Sequence, residues 1–145
     1  MELDRKTLAE RYFRAVYTGD LAVIDELASD TVIITYPIFS SLFGTPIIRG
    51  RTAVKEFSIR FSSRWADPQI NIHEAVEEGS RVVLLWDFRA RNLVPIQPGD
   101  TASQQEHRWG GITLFRFDDS GKVIAEVGEE SDPGPVARLS GSGAI

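Results

Sequence analysis

Residues 11–37 read RYFRAVYTGDLAVIDELASDTVIITYP. Leu8, Tyr12, Ala15 and Val16 recur at helical spacing on one face, with Arg11 and Arg14 off it, which predicts an amphipathic helix. Gly19 tolerates the left-handed conformation that ends such a helix. Asp20 is then placed to cap a second helix, whose apolar face is Leu21, Ile24, Leu27 and Ala28. Ser29-Asp30 breaks the pattern. The β-branched and aromatic run Thr31 to Tyr36 predicts a strand, ended by Pro37, which cannot donate to a ladder. Helix, break, helix, sharp turn and strand, in that order, build one side of a small cup.

Outward from this stretch, Ile38 to Ile48 carries Gly44 and Pro46 and reads as a loop. It is unusually apolar, with Ile38, Phe39, Leu42, Phe43, Ile47 and Ile48. Such a loop needs cover, either as the rim of a pocket or as a plug under the helices. Thr52 is positioned to cap a third helix with Ala53, Val54, Phe57 and Phe61 on one side, ended by Trp65-Ala66-Asp67-Pro68. Four strands are expected next: Gln69–Val76, Arg81–Arg91, Gln105–Phe117 and Val123 to about Glu129. Turns at 77–80 and 118–121 join two of the pairs, and residues 92–103 form a longer connection. Helices followed by an antiparallel meander mean an α+β fold. Strands this long must twist and curl, and a curled sheet under helices makes a cone. Residues 1–132 are expected to be a single domain, and residues 133–145, rich in Pro, Gly and Ser, a disordered tail.

Composition narrows function by exclusion. The chain has 145 residues and is 42% hydrophobic, enough for a real core. It has no cysteine, so thiol chemistry and cysteine metal sites are excluded. The net charge of −5, with scattered cations, argues against nucleic acid as a partner. No apolar run has the length of a signal peptide or membrane span, so the expectation is a cytoplasmic protein with no membrane partner. His73 and His107 lie on different strands and make a poor metal site, so no metal and no cofactor is expected.

Several segments together resemble the NTF2-like superfamily, most closely its SnoaL-like branch, which shares its fold with the ketosteroid isomerases. They are Arg11-Tyr12 with Gly19-Asp20-Leu21, Asp30 to Pro37, Gly50 to Val54, Gly79 to Val83 with Trp86, Leu114 to Phe117, and Asp119 to Val123. The resemblance implies an NTF2-like cone, a curved antiparallel sheet with N-terminal helices closing a cavity. It is specific for fold and weak for function, because this fold hosts isomerases, cyclases, dehydratases, epoxide hydrolases and binders. It also implies a homodimer. Tyr12 matches the oxyanion-donor tyrosine of the isomerases. Tyr36 stands where they carry the general-base aspartate, and Thr113 where they carry a second acid. A tyrosine with a pKa near 10 is a poor base at neutral pH, so this chain departs from isomerase chemistry. Asp87 and Arg89 are the nearest match to the acid–arginine set of limonene epoxide hydrolases, but they lie on the wrong strand face.

Strand alternation then sorts the side chains. Val82, Leu84, Trp86, Phe88 and Ala90 share the face expected inside. Asp87, Arg89 and Arg91 share the outer face, where opposite charges would pair across a two-fold axis. If Thr113 points inward by the family analogy, so do His107, Trp109, Gly111 and Phe115, and the same analogy turns Glu126, Gly128 and Glu130 into the cup. Glu126 becomes the expected acid or base, with Tyr12, Tyr36 and His107 as partner donors. Trp86, Phe88, Trp109, Thr113, Phe115 and Glu130 become the expected ligand-lining residues. The blander readings are a core aromatic for Tyr12, a rim residue for His107 and a solvated strand end for Glu126–Glu130. Two functions stay open. One is a cofactor-free isomerase, cyclase or dehydratase acting by acid–base chemistry on a small apolar molecule of polyketide, terpenoid or steroid type. The other is a non-catalytic binding or structural dimer with the same cone.

Overall fold

The computed structural model describes residues 4–93 and 106–131. The 92–103 connection falls largely outside these residues, as does the C-terminal tail. Four helices and six strands follow in the order α1 (Arg5–Thr18), α2 (Leu21–Leu27), β1 (Ala28–Thr35), α3 (Phe39–Phe43), β2 (Ile47–Arg49), α4 (Arg51–Ser62), β3 (Trp65–Glu78), β4 (Arg81–Asn92), β5 (Glu106–Phe117) and β6 (Val123–Glu130). The strands form one curved, unclosed sheet in the order β2-β1-β6-β5-β4-β3. All pairings are antiparallel except β1 with β6. This is the expected α+β cone, with the helices packed over the concave face. No described helix is long and apolar enough to cross a membrane.

Local chemistry sets the helix ends. Asp4 caps α1 by accepting from the Thr7 N–H at 2.8 Å, and Asp20 caps α2 by accepting from Val23. Gly19 ends α1 at φ 85°, the left-handed value the sequence predicts. α4 begins differently. Thr52 lies inside it; Gly50 holds the N-cap position at φ 91° and ψ 148°, with no side-chain capping bond. That backbone conformation is open to glycine and strained for other residues. Ser58 ties α4 to α1 by donating to the Val16 carbonyl at 2.6 Å.

Three strand boundaries differ from expectation. β1 starts at Ala28, because the chain pairs with β6 from Ala28 onward through a register shift that absorbs Ser29-Asp30. The 38–48 loop contains the short helix α3 and the edge strand β2. β3 starts at Trp65, paired with Asn92, and a bulge before Gln69 takes up Asp67 and Pro68. β3 is an edge strand, so a proline without a donor is tolerated at its bulge.

The core is the concave side. α1 contributes Tyr12, Phe13, Val16 and Tyr17, while β4 contributes Val82, Leu84, Trp86, Phe88 and Ala90, all buried. Phe13 sits 4.9 Å from Trp86 and 6.1 Å from Phe115, ring centre to ring centre. The apolar 38–48 segment is partly covered, with Phe39 buried and Phe43 40% exposed.

Candidate active site

Glu126 is the buried carboxylate of the cone, fully enclosed among Tyr12, Tyr36, Phe115 and Thr113, which are also 0% exposed. A register shift in the β5–β6 pairing between Arg116 and Phe117 sets its phase. With that extra residue taken up, Val123, Glu126 and Gly128 are buried while Val127 is exposed. That a carboxylate is buried here and a valine exposed is the consequence of a bulge.

A directed chain of hydrogen bonds ends on this carboxylate. Trp86 Nε1 donates to Thr113 Oγ1 at 2.9 Å, and Thr113 and Tyr36 hydroxyls are 2.7 Å apart. Tyr36 donates to Glu126 Oε2 at 2.7 Å, and Tyr17 donates to the same oxygen at 2.9 Å. Indole is only a donor, so Thr113 accepts from Trp86 and spends its own proton on Tyr36. The proton of Tyr36 is then the one on Glu126. Oε2 thus holds two hydroxyl protons, whereas Oε1 has no hydrogen-bond partner among the described residues. Because Oε2 already accepts two hydroxyl protons, the acid form would carry its own proton on Oε1.

The electrostatics follow from burial. Loss of solvation raises the Glu126 pKa from 4.5 to about 7, and the hydrogen bonds from Tyr36 and Tyr17 pull against that rise. The hydroxyls of Tyr12, Tyr17 and Tyr36 are pushed well above their ordinary value near 10, by burial first and by the Glu126 charge second. All three remain protonated donors at neutral pH, while Glu126 exists in both forms. Glu130 adds negative charge that acts on Tyr17 and Tyr36.

The sequence-derived residues fall into two groups. Glu126, Tyr36, Thr113 and Trp86 are joined by the bonds above. Phe115 lies opposite Glu126 in the β5–β6 ladder and packs edge-on against Tyr12. Tyr12 is buried beside them, but its hydroxyl has no hydrogen-bond partner among the described residues. The donors that reach Glu126 are Tyr36 and Tyr17. The second group lies toward the other end of the cone. Phe88 stacks on Trp109 at 4.5 Å, and Trp65 packs against Trp109 at 5.0 Å and His107 at 5.6 Å. His107 is eight residues along β5 from Phe115, a path of roughly 25 Å at the rise of a strand. That places it beside Trp65, away from Glu126. Among the described residues no group of three or more His, Asp or Glu could hold a metal ion.

Tyr17 is the residue that sequence reasoning missed. The apolar stripe traced through Leu8, Tyr12, Ala15 and Val16 leaves it aside. The available signal was Phe13 and Tyr17 at i, i+4, a spacing that stacks aromatics on one helix face; their rings are 4.9 Å apart. Gly128 and Gly111 were a second signal. A Cβ on Gly128 would stand 2.8 Å from Tyr36 Cζ, and one on Gly111 2.5 Å from Trp86 Cζ2. These two glycines let the Tyr36 and Trp86 rings lie against the sheet.

The sequence model of the SnoaL-like domain matches residues 9–126. Among solved structures, TsrD from Streptomyces laurentii is similar over 99% of this chain and 100% of its own, with TM-score 0.71 and 25% identity. Wild-type IdmH from Streptomyces antibioticus, a candidate polyketide cyclase, aligns over 94% of this chain and 99% of its own, with TM-score 0.77 and 17% identity. AclR from Streptomyces galilaeus, a candidate hydroxylase, aligns over 97% and 85%, with TM-score 0.71 and 19% identity. No curated protein matches the chain.

Proposed function

Because the chain belongs to the SnoaL-like domain family, we propose that its cone houses a cofactor-free acid–base site for a small, largely apolar molecule. The observation that carries this reading is Glu126 itself, buried, held through Oε2 by Tyr17 and Tyr36, with Oε1 unpartnered among the described residues. A carboxyl group titrating at about 7 both gives and takes a proton near neutrality, the condition for efficient proton transfer. Oε1 would abstract a proton from carbon and return it at a second position. The Tyr12 hydroxyl, a donor without a partner among the described residues, would meet the oxygen on which negative charge develops. Isomerisation, cyclisation and dehydration of a polyketide-, terpenoid- or steroid-like substrate all fit this sequence of proton moves. Trp86 and Phe115 would supply its apolar walls. In a screen of such substrates, Glu126→Gln is expected to keep the fold and lose turnover by at least 10²-fold, the lower end of what general acid–base catalysis contributes. Full activity in that variant would reject the reading.

A non-catalytic cone is the second reading. It is favoured by the tightness of the packing, since Glu126 and the rings around it are fully enclosed. Under that reading Glu126→Gln changes stability alone.

We also propose a homodimer through the convex face, on grounds that differ from the charge pairing expected from sequence. Asp87 is engaged by Asn71 and His73, Arg89 by Gln69, and Arg91 by Asp67, all within one chain. The interchain attraction would come from an apolar row. Val76, Val83, Leu114 and Val127 are neighbours across four strands, with Leu85 and Ile112 in the next row. Val76, Ile112 and Val127 are 52%, 55% and 42% exposed. Arg81 and Arg116 border one side of the patch, and Glu129 and Asp87 the other. A two-fold axis along the row sets the arginines of one copy against the carboxylates of the other. Sedimentation at tens of micromolar should show a dimer, and Ile112→Arg with Val127→Arg should give a monomer. A wild-type monomer at that concentration would count against the interface.

A further inference from the structure

Outside the cone, a groove of about 540 Å³ runs between α3, β2 and α4, within the size range of small-molecule sites. Phe43, Ile47, Ile48 and Phe57 form its apolar surface, and Arg49 and Arg60 flank it. Neither guanidinium has a carboxylate or hydrogen-bond partner among the described residues. Arg60 rests 5.5 Å from the centre of the Phe43 ring. On α4 itself Arg51 pairs with Asp25 and Asp30, and Lys55 with Asp25. Arg49 and Arg60 thus border an apolar floor without an ion pair among the described residues, in a chain of net charge −5. Glu56, which also lines the groove, offsets one of them.

We propose that this groove binds an amphipathic anion, an alkyl or alicyclic body ending in a carboxylate or a phosphate monoester. The body lies on Phe43, Ile47, Ile48 and Phe57, and the anionic end sits between Arg49 and Arg60, where guanidinium donors match carboxylate and phosphate geometry. The assignment is independent of the Glu126 chemistry, because Phe57 and Tyr17, with ring centres 5.9 Å apart, lie between groove and carboxylate.

The test is a titration of the full chain with four probes sharing one tail: decanoate, decyl phosphate, decanol and decyltrimethylammonium, followed by amide chemical shifts. At low salt decanoate or decyl phosphate should bind at least tenfold more tightly than decanol and than the cation, with shifts concentrated at residues 43–60. The stronger of the two anions identifies the headgroup. Arg49→Gln with Arg60→Gln should abolish the preference for anions while leaving decanol binding unchanged. Glu56→Gln, an exposed change with no effect on folding expected, should tighten anion binding severalfold and keeps the test decisive if the arginine variant folds poorly. Equal binding of decanoate and decanol, no binding of any probe, or an anion preference that survives the double substitution would overturn the proposal. The last of these would place the anion elsewhere in the protein.

Discussion

Replacing Glu126 by glutamine is expected to stabilise the protein relative to wild type by an amount that grows with pH, reaching ~3 kcal/mol at about pH 8 compared with pH 4.5. The carboxyl is fully buried, and its pKa in the folded chain is about 7 against 4.5 for the ordinary group. Between those two values the folded state holds more protons than the unfolded state, so stability falls as pH rises. The favourable contribution of the protonated acid is complete below pH 4.5, shrinks as pH climbs through 7, and is gone above it. Glutamine keeps an acceptor oxygen for Tyr17 and Tyr36 and has no proton to lose. Any fixed penalty from its buried amide is the same at every pH and drops out of the slope. Urea denaturation of both proteins at several pH values measures the difference directly. A difference independent of pH would mean that Glu126 titrates as a solvated carboxylate, and the burial argument would fail with it.

Gly128→Ala should be a strongly destabilising single-methyl change at the candidate site. The added Cβ would lie 2.8 Å from both Thr113 Oγ1 and Tyr36 Cζ, and closer still to Tyr36 Cε1. The ring cannot yield toward Phe39, whose centre is only 5.1 Å away. Overpacking of this kind costs about 1–3 kcal/mol. A displaced Tyr36 also lets go of Glu126, and a hydrogen bond to a charged group is worth about 1.5–3 kcal/mol. The expected loss is therefore about 2.5–6 kcal/mol, together with a rise of the Glu126 pKa above about 7, since the bond from Tyr36 that holds it down is weakened. The midpoint of urea unfolding reads the first effect and carboxyl carbon shifts during a pH titration read the second. In a Tyr36→Leu background the methyl has room, so the cost of Gly128→Ala should fall by at least half. Strict additivity of the two changes would show that Tyr36 is not what Gly128 accommodates.

The roles of Glu126 and of the outer groove can fail separately. Glu126→Gln touches neither Arg49 nor Arg60, and the arginine substitutions are on the outer face of β2 and α4, away from the carboxylate.

Much of the architecture was legible because it depends on local chemistry. Gly19 and Asp20 end one helix and cap the next through contacts within a few residues. The alternation of β4 is a period-2 pattern, and it placed Trp86 and Phe88 inside without further information. The misplaced boundaries share a different cause. Trp65 belongs to β3 because Asn92 pairs with it, and Ala28 belongs to β1 because β6 is its parallel neighbour. No property of Trp65 or Ala28 alone announces a partner dozens of residues away. Thr52 had the chemistry of a cap, yet the chain turns at Gly50, one residue before the helix begins.

Sequence by itself determined which residues were available to the cone: Glu126 and Glu130 on the last strand, aromatic walls, and no thiol. Periodicity assigned the β4 side chains to a face, and the family resemblance set the phase of the last strand. Tertiary structure alone decided which hydroxyls meet Glu126. Tyr12 and Tyr17 ride the same helix, five residues apart. Which of them reaches Glu126 depends on the angle at which α1 crosses the sheet, and that angle is set by Phe13 packing on Trp86 and by Ser58 holding α1 to α4. The same packing removes water from Glu126. A pKa near 7 is thus a property of the assembled core, since desolvation exists only once the rings have closed around the acid.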